Sequence, residues 1–161
     1  MNEDLILNLE RAFRGKGWHG PTLLGSVRGV SPVEAAIVPA RLKHSIWNLV
    51  LHAAYWKYAA CLRIAKAGIR GLPTEFPRSP SNFPALPKTP SAAAWREDVQ
   101  LLKSQHEHLI CAVGQLTGKQ LNSIPPGGRS RKLREIIVGV AAHDAYHTGQ
   151  IQLIKRLIRH G

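Results

Sequence analysis

Only two cysteines, Cys61 and Cys111, occur in the 161 residues, fifty positions apart. Neither has a CxxC partner and each lies inside an apolar helical pattern, which argues against a zinc knuckle or a disulfide framework and predicts two buried thiols. Acidic side chains are scarce as well: 10 Asp and Glu against 22 Lys and Arg leave a net charge of +12. Such an excess attracts nucleic acids and other anions. No aromatic-basic RNA motif or finger spacing accompanies it, however, and charge alone supports only weak attraction, so specific nucleic-acid binding is not expected. Long apolar runs are missing, none approaching the roughly 18 residues of a membrane span. The acids of the opening MNEDLILNLERAF stand where a signal peptide carries positive charge, and a cytoplasmic protein is the expectation. No stretch alternates apolar and polar residues for long enough to make a convincing strand.

What remains is helical periodicity, over a length that fits a single domain spanning residues 1–161. Leu5, Leu9, Ala12 and Phe13 share one side of a first helix over about 3–13. Thr22 and Ser31 can each cap a brief turn, the second as a capping box, Ser31-Pro32-Val33-Glu34, with proline at the first helical position. A second long helix runs from about Lys43 to Ala67, its core stripe marked by Ile46, Leu49, Val50, Ala53, Trp56, Ala60 and Ile64. The next segment, GIRGLPTEFPRSPSNFPALPKTP, holds six of the eleven prolines and can continue neither helix nor central strand. A loop that long is either functional or a crossover between distant helix ends. Ser91 then caps a third helix that stops near Gly114 to Gly118, and a fourth runs from about Lys132 to Arg159. These four helices and their connections predict an all-α four-helix bundle.

Three of the eight histidines stand out because each interrupts an apolar stripe: His52 on the second helix, His143 and His147 on the last. A histidine in such a place must hydrogen-bond, ionise at a cost, or bind something. The i, i+4 spacing stacks His143 and His147 on one face, and His52 can supply a third nitrogen if the two helices are neighbours. Three imidazoles with open coordination positions suit zinc, nickel or ferrous iron, whereas a closed structural zinc needs a fourth ligand for which no strong candidate exists. Core histidines satisfied by their neighbours are the plainer alternative. His19, His44 and His160 fall at loops or helix ends and are expected in solvent. His106 and His108, two apart on a helix, point away from one another. Asp144 lies about 100° off the His143 face and is expected to be a surface or dimer carboxylate.

Taken together, GWHGPTLLGSVRGVSPVEA, HSIWNLVLHAAYWKYAACLR, the Trp95 segment and GVAAHDAYHTGQIQLIKRL resemble the DinB-like proteins, a family that includes the bacterial thiol S-transferases of the bacillithiol and mycothiol type. The resemblance implies an up-down-down-up arrangement of the bundle, with the Pro-rich segment as its crossover. It also implies a divalent metal ion held by His52, His143 and His147, and a homodimer. The activity it implies is a metal-dependent thiol S-transferase or hydrolase acting on a small molecule such as a low-molecular-weight thiol. The alternative is a stress-response module that binds metal or an anion without turnover. Gln150 is a candidate to orient a ligand, Tyr55, Trp56 and Tyr146 to line the pocket, and Trp18 with His19 to pack near the end of the bundle. The densest basic patch, Arg129 to Arg134, is a candidate to hold a carboxylate of the thiol. No catalytic residue is assigned.

Overall fold

The computed structural model describes residues 2–78 and 81–160, and every regular element in it is a helix. Four are long: α1 (Glu3–Phe13), α4 (Ile46–Ala65), α5 (Ala92–Gly114) and α7 (Leu133–His160). Three are short: α2 (Leu23–Ser26), α3 (Pro32–Ala36) and α6 (Gly118–Leu121). Both brief turns expected from the sequence form, with the Thr22 hydroxyl accepting from Gly25 N and Ser31 and Glu34 capping each other. No helix among the described residues is long and apolar enough to cross a membrane.

Local chemistry sets the helix ends. The second long helix starts at Ile46, three residues later than its apolar pattern suggests, because Ser45 and Asn48 form a reciprocal capping box. The same device at Thr117 and Gln120 starts α6, which periodicity alone could not reveal in four residues. Ser91 caps α5, as expected, accepting from Ala94 N.

The long helices pack around one another, α4 against α5 and α7, and α1 against α7 and α5. Helices α4 and α5 run the same way. Near their N-termini the Trp47 indole donates to Asp98 at 2.8 Å and the Trp47 and Trp95 rings meet edge to face, while toward their C-termini Cys61 and Ile64 share a buried cluster with Ala112 and Val113. Helix α7 runs against them, its first turns (Leu133, Ile137) joining that C-terminal cluster and its later turns (Ile151, Ile154) joining the cluster around Trp47.

The Pro-rich connection joins α4 to α5. Its described residues form no helix and lie down along α4. The Tyr58 hydroxyl donates to the Thr74 carbonyl at 2.8 Å, Phe76 is buried, and the Arg78 guanidinium binds Asp98.

Several sequence-based expectations fail on burial. Cys61 is buried, but Cys111 is exposed. Trp18 is fully exposed and packs on nothing, so it is no part of a packing motif. His44 is half-buried, because the Pro-rich connection brings Phe83 flat against its ring at 3.8 Å.

Candidate metal centre

The antiparallel contact of α4 and α7 carries His52 to the level of His143 and His147. The residues are 91 and 95 positions apart in sequence, yet their nitrogens converge. His143 Nε2 lies 3.0 Å from His52 Nε2 and 3.0 Å from His147 Nε2. The three form a group able to hold a metal ion. Two imidazole nitrogens bound to one ion at about 2.1 Å lie roughly 3.0 to 3.4 Å apart, so the observed separations match chelation.

The outer nitrogens decide what the inner ones offer. His52 Nδ1 donates to the Asn82 carbonyl at 2.5 Å, and His147 Nδ1 donates to Gln150 Oε1 at 2.6 Å. Because each acceptor can only accept, both rings carry their proton on Nδ1 and turn a bare Nε2 lone pair inward. Burial lowers the pKa of all three, His143 to about 3 and His147 to about 4, with the neighbouring imidazoles adding to the effect. All are thus neutral at pH 7. His143 Nδ1 is buried with no partner among the described residues, so neither tautomer of that ring satisfies the cluster. A proton on Nε2 serves one neighbour only, and a proton on Nδ1 leaves three lone pairs facing one another. A cation at their meeting point removes that conflict, and the donor set, three neutral imidazoles, fits a borderline divalent ion.

The Pro-rich connection holds this geometry from outside. Asn82 grips twice, its carbonyl on His52 and its Oδ1 accepting from the Trp56 indole at 2.8 Å. Phe83 stacks on His52 with ring centroids 4.3 Å apart. Neither residue stands out in the sequence; the only signal was the length of the loop itself.

Of the residues picked as neighbours, Gln150 holds His147 and donates to the Tyr146 hydroxyl at 3.2 Å. Trp56 and Tyr146 line the pocket next to the histidines. Tyr55 does not: it turns toward Tyr58 and Phe76 and packs on the core. Asp144 is a clear correction. It is fully buried and ion-paired with Lys57, itself fully buried on α4. The angular argument that turns Asp144 off the histidine face holds, but α7 is covered by α1 and α2 as well as α4, so a turn away from one face leads into the core.

The pocket has a volume of about 830 Å³, within the range of small-molecule sites. It runs from the histidines along α4 and α7 to Arg63 and the loop carrying Arg129 and Arg131.

An all-helical protein with three converging imidazoles at one end of a ligand-sized pocket belongs to a recognisable class, helical proteins with an open histidine site between facing helices. The family model of the DinB superfamily matches residues 18–151. The chain belongs to the DinB superfamily. No curated protein and no solved structure matches it.

Proposed function

We propose that this DinB-superfamily chain is a cytoplasmic, divalent-metal-binding protein whose ligands are His52, His143 and His147, and that it acts on a small molecule in the adjoining pocket. The observation that carries this reading is the orientation of the rings: Asn82 and Gln150 fix two Nδ1 protons, so the Nε2 lone pairs point at one another. Zinc, nickel and ferrous iron all suit three imidazoles with positions left open. An ion held there supplies a positive charge that favours the deprotonated form of a thiol or water and polarises an electrophile. The chain's own contribution is to orient that centre and to wall it with Trp56 and Tyr146. A low-molecular-weight thiol as substrate, in an S-transferase or hydrolase reaction, is the activity this arrangement suits best.

The reading extends to architecture. The parallel α4 and α5, with α7 reversed, support a single-domain four-helix bundle in the up-down-down-up order, with the Pro-rich connection as its crossover. Val138, Tyr146, Leu153 and Leu157 are exposed on α7 at spacings that place them along one stripe, which supports a homodimer through this flank. Light scattering on the purified protein tests that point.

Elemental analysis tests the centre. About one divalent ion per chain is expected, and it should be absent from folded His143→Ala protein; equal metal content in the two proteins sinks the proposal. One observation favours the non-catalytic alternative: Glu135, the single carboxylate lining the pocket among the described residues, sits at the end away from the histidines. Incubation with a small thiol and an electrophile separates the two, since metal-dependent conjugate formation requires an enzyme.

A further inference from the structure

The end of the pocket away from the histidines has a chemistry of its own. Arg63 comes from the last turn of α4, whereas Arg129 and Arg131 come from the loop ahead of α7, and all three line the same cavity. Among the described residues none of the three is paired with a carboxylate, although Arg14, Arg78 and Arg159 all are. Glu135 lines this end too, but its Oε2 already accepts from Lys132 N at 2.7 Å. Lys66 adds a further positive charge, its Nζ lying 3.6 Å from the point where a side chain on Gly127 would begin.

The loop that delivers the arginines is shaped for this position. Gly127 has φ +74°, in the left-handed region that favours glycine. A Cβ on Gly128 would stand 2.8 Å from the Pro125 carbonyl oxygen, so neither position accepts another residue without rearrangement. The base of the loop is tied where Leu133 N donates to the Ser123 carbonyl at 3.0 Å. Arg129 and Arg131, both exposed, are carried by this tied loop onto the lining of the pocket. Between the two ends the walls are apolar, with Ala59, Ala60, Ile136 and Val140. At about 1.5 Å per residue, His52 and Arg63 are separated by about 16 Å of helix.

We infer that Arg63, Arg129 and Arg131 form an anion-binding end of the pocket, which takes the carboxylate or phosphate group of an elongated small molecule whose other end reaches the histidines. Guanidinium groups present paired donors that match both anions, and the apolar stretch between accommodates a short uncharged linker. The role of the histidine end rests on the function proposed above; the arginine end does not, and its test uses metal-free protein so that the two can fail separately.

Inorganic phosphate and succinate are titrated at low ionic strength into chelator-treated protein, with the amide resonances of Gly127 and Gly128 as local reporters. Saturable shifts at both glycines are expected. The Arg129→Gln/Arg131→Gln double variant should bind at least about tenfold more weakly, and Arg63→Gln several-fold more weakly. Arg156→Gln removes the same charge from the exposed face of α7 and should change the affinity less than about twofold. Whichever probe binds more tightly identifies the preferred anion. Non-saturating shifts in the wild type, or equal weakening by Arg156→Gln, overturn the inference and leave only diffuse attraction by the +12 charge. Metal content measured on the same variants should match the wild type, and its loss also counts against the inference because it shows a disturbed pocket.

Discussion

His52 and Lys57 lie five residues apart on α4, and His143 and Asp144 are neighbours on α7, yet the two clusters they build are opposites. The histidine cluster opens on the pocket and is incomplete by itself, its neutral nitrogens facing one another at 3.0 Å. The Lys57–Asp144 pair is sealed in the core and balanced in charge, an ammonium against a carboxylate, with the Phe13 ring 4.9 Å from the ammonium and Asp144 Oδ1 without a hydrogen-bond partner among the described residues. A rotation of about 100° between consecutive helical residues separates a site that calls for a ligand from a contact that fixes the helices supplying it. The pair bridges α4 and α7 directly beneath the histidines, so it sets the register in which His52 meets His143 and His147.

The comparison breaks most sharply if one partner of the sealed pair is removed. Asp144→Ala leaves an ammonium buried without a counter-charge, and Lys57→Ala leaves a carboxylate that burial already pushes toward its neutral form. Each change is expected to cost about 3–5 kcal/mol of stability, read from the midpoint of urea unfolding, whereas Lys57→Met/Asp144→Leu should recover most of that loss. A cluster built for a ligand behaves differently: His143→Ala should shift the unfolding of metal-free protein by about 1 kcal/mol or less. Equal losses in Asp144→Ala and His143→Ala would show that the two clusters do the same job.

A second, smaller effect probes how the open cluster is held. Gln150 touches the centre only through His147 Nδ1, yet it fixes which nitrogen of that ring faces inward. Gln150→Ala should weaken metal binding by about 10–100-fold without abolishing it, measured by competition with a chromophoric chelator. Gln150→Glu, which keeps an acceptor for the Nδ1 proton, should restore most of the affinity. A structural role for Gln150 alone predicts no such rescue.

The part of this comparison that can be seen in the sequence is the part carried by periodicity. His52, His143 and His147 are visible because a polar residue interrupts an apolar stripe, and the helices that carry them follow from the same stripes. Lys57 bears the same signature, lying four residues after Ala53 and seven before Ile64, and the rule that singled out the histidines applies to it equally. Asp144 was misplaced because a helical wheel gives angles and not neighbours, and whether α7 is covered on one face or several depends on where α1 and α2 pack. Asn82 and Phe83 were out of reach for a different reason. They act through a backbone carbonyl and a ring face, in a loop with no periodicity, and only the path of the chain brings them to His52.

The smallest expected effect concerns a histidine belonging to neither cluster. His106 on α5 is fully buried, its ring stacked on Phe13 at 3.9 Å, with Lys57, Arg14 and Glu10 the charged groups around it. Burial, helped by the Lys57 and Arg14 charges, lowers its pKa to about 2. The unfolded chain takes up this proton near the ordinary histidine value of about 6.5 while the folded chain refuses it. The unfolded state then binds more protons as the pH falls, so the stabilisation is fully present above that value and is lost progressively below it. Metal-free protein should accordingly lose stability on acidification, with His106 contributing up to about 1.4 kcal/mol per pH unit below about pH 6. His106→Phe keeps a ring against Phe13 and removes the titration, so its unfolding midpoint should fall less steeply between pH 6 and pH 4. His143 and His147 titrate with the same sign, which is why the His106→Phe profile should be shallower but not flat. A profile as steep as the wild type would show that His106 takes up its proton in the folded protein, with Glu10 at 3.4 Å as its counter-charge.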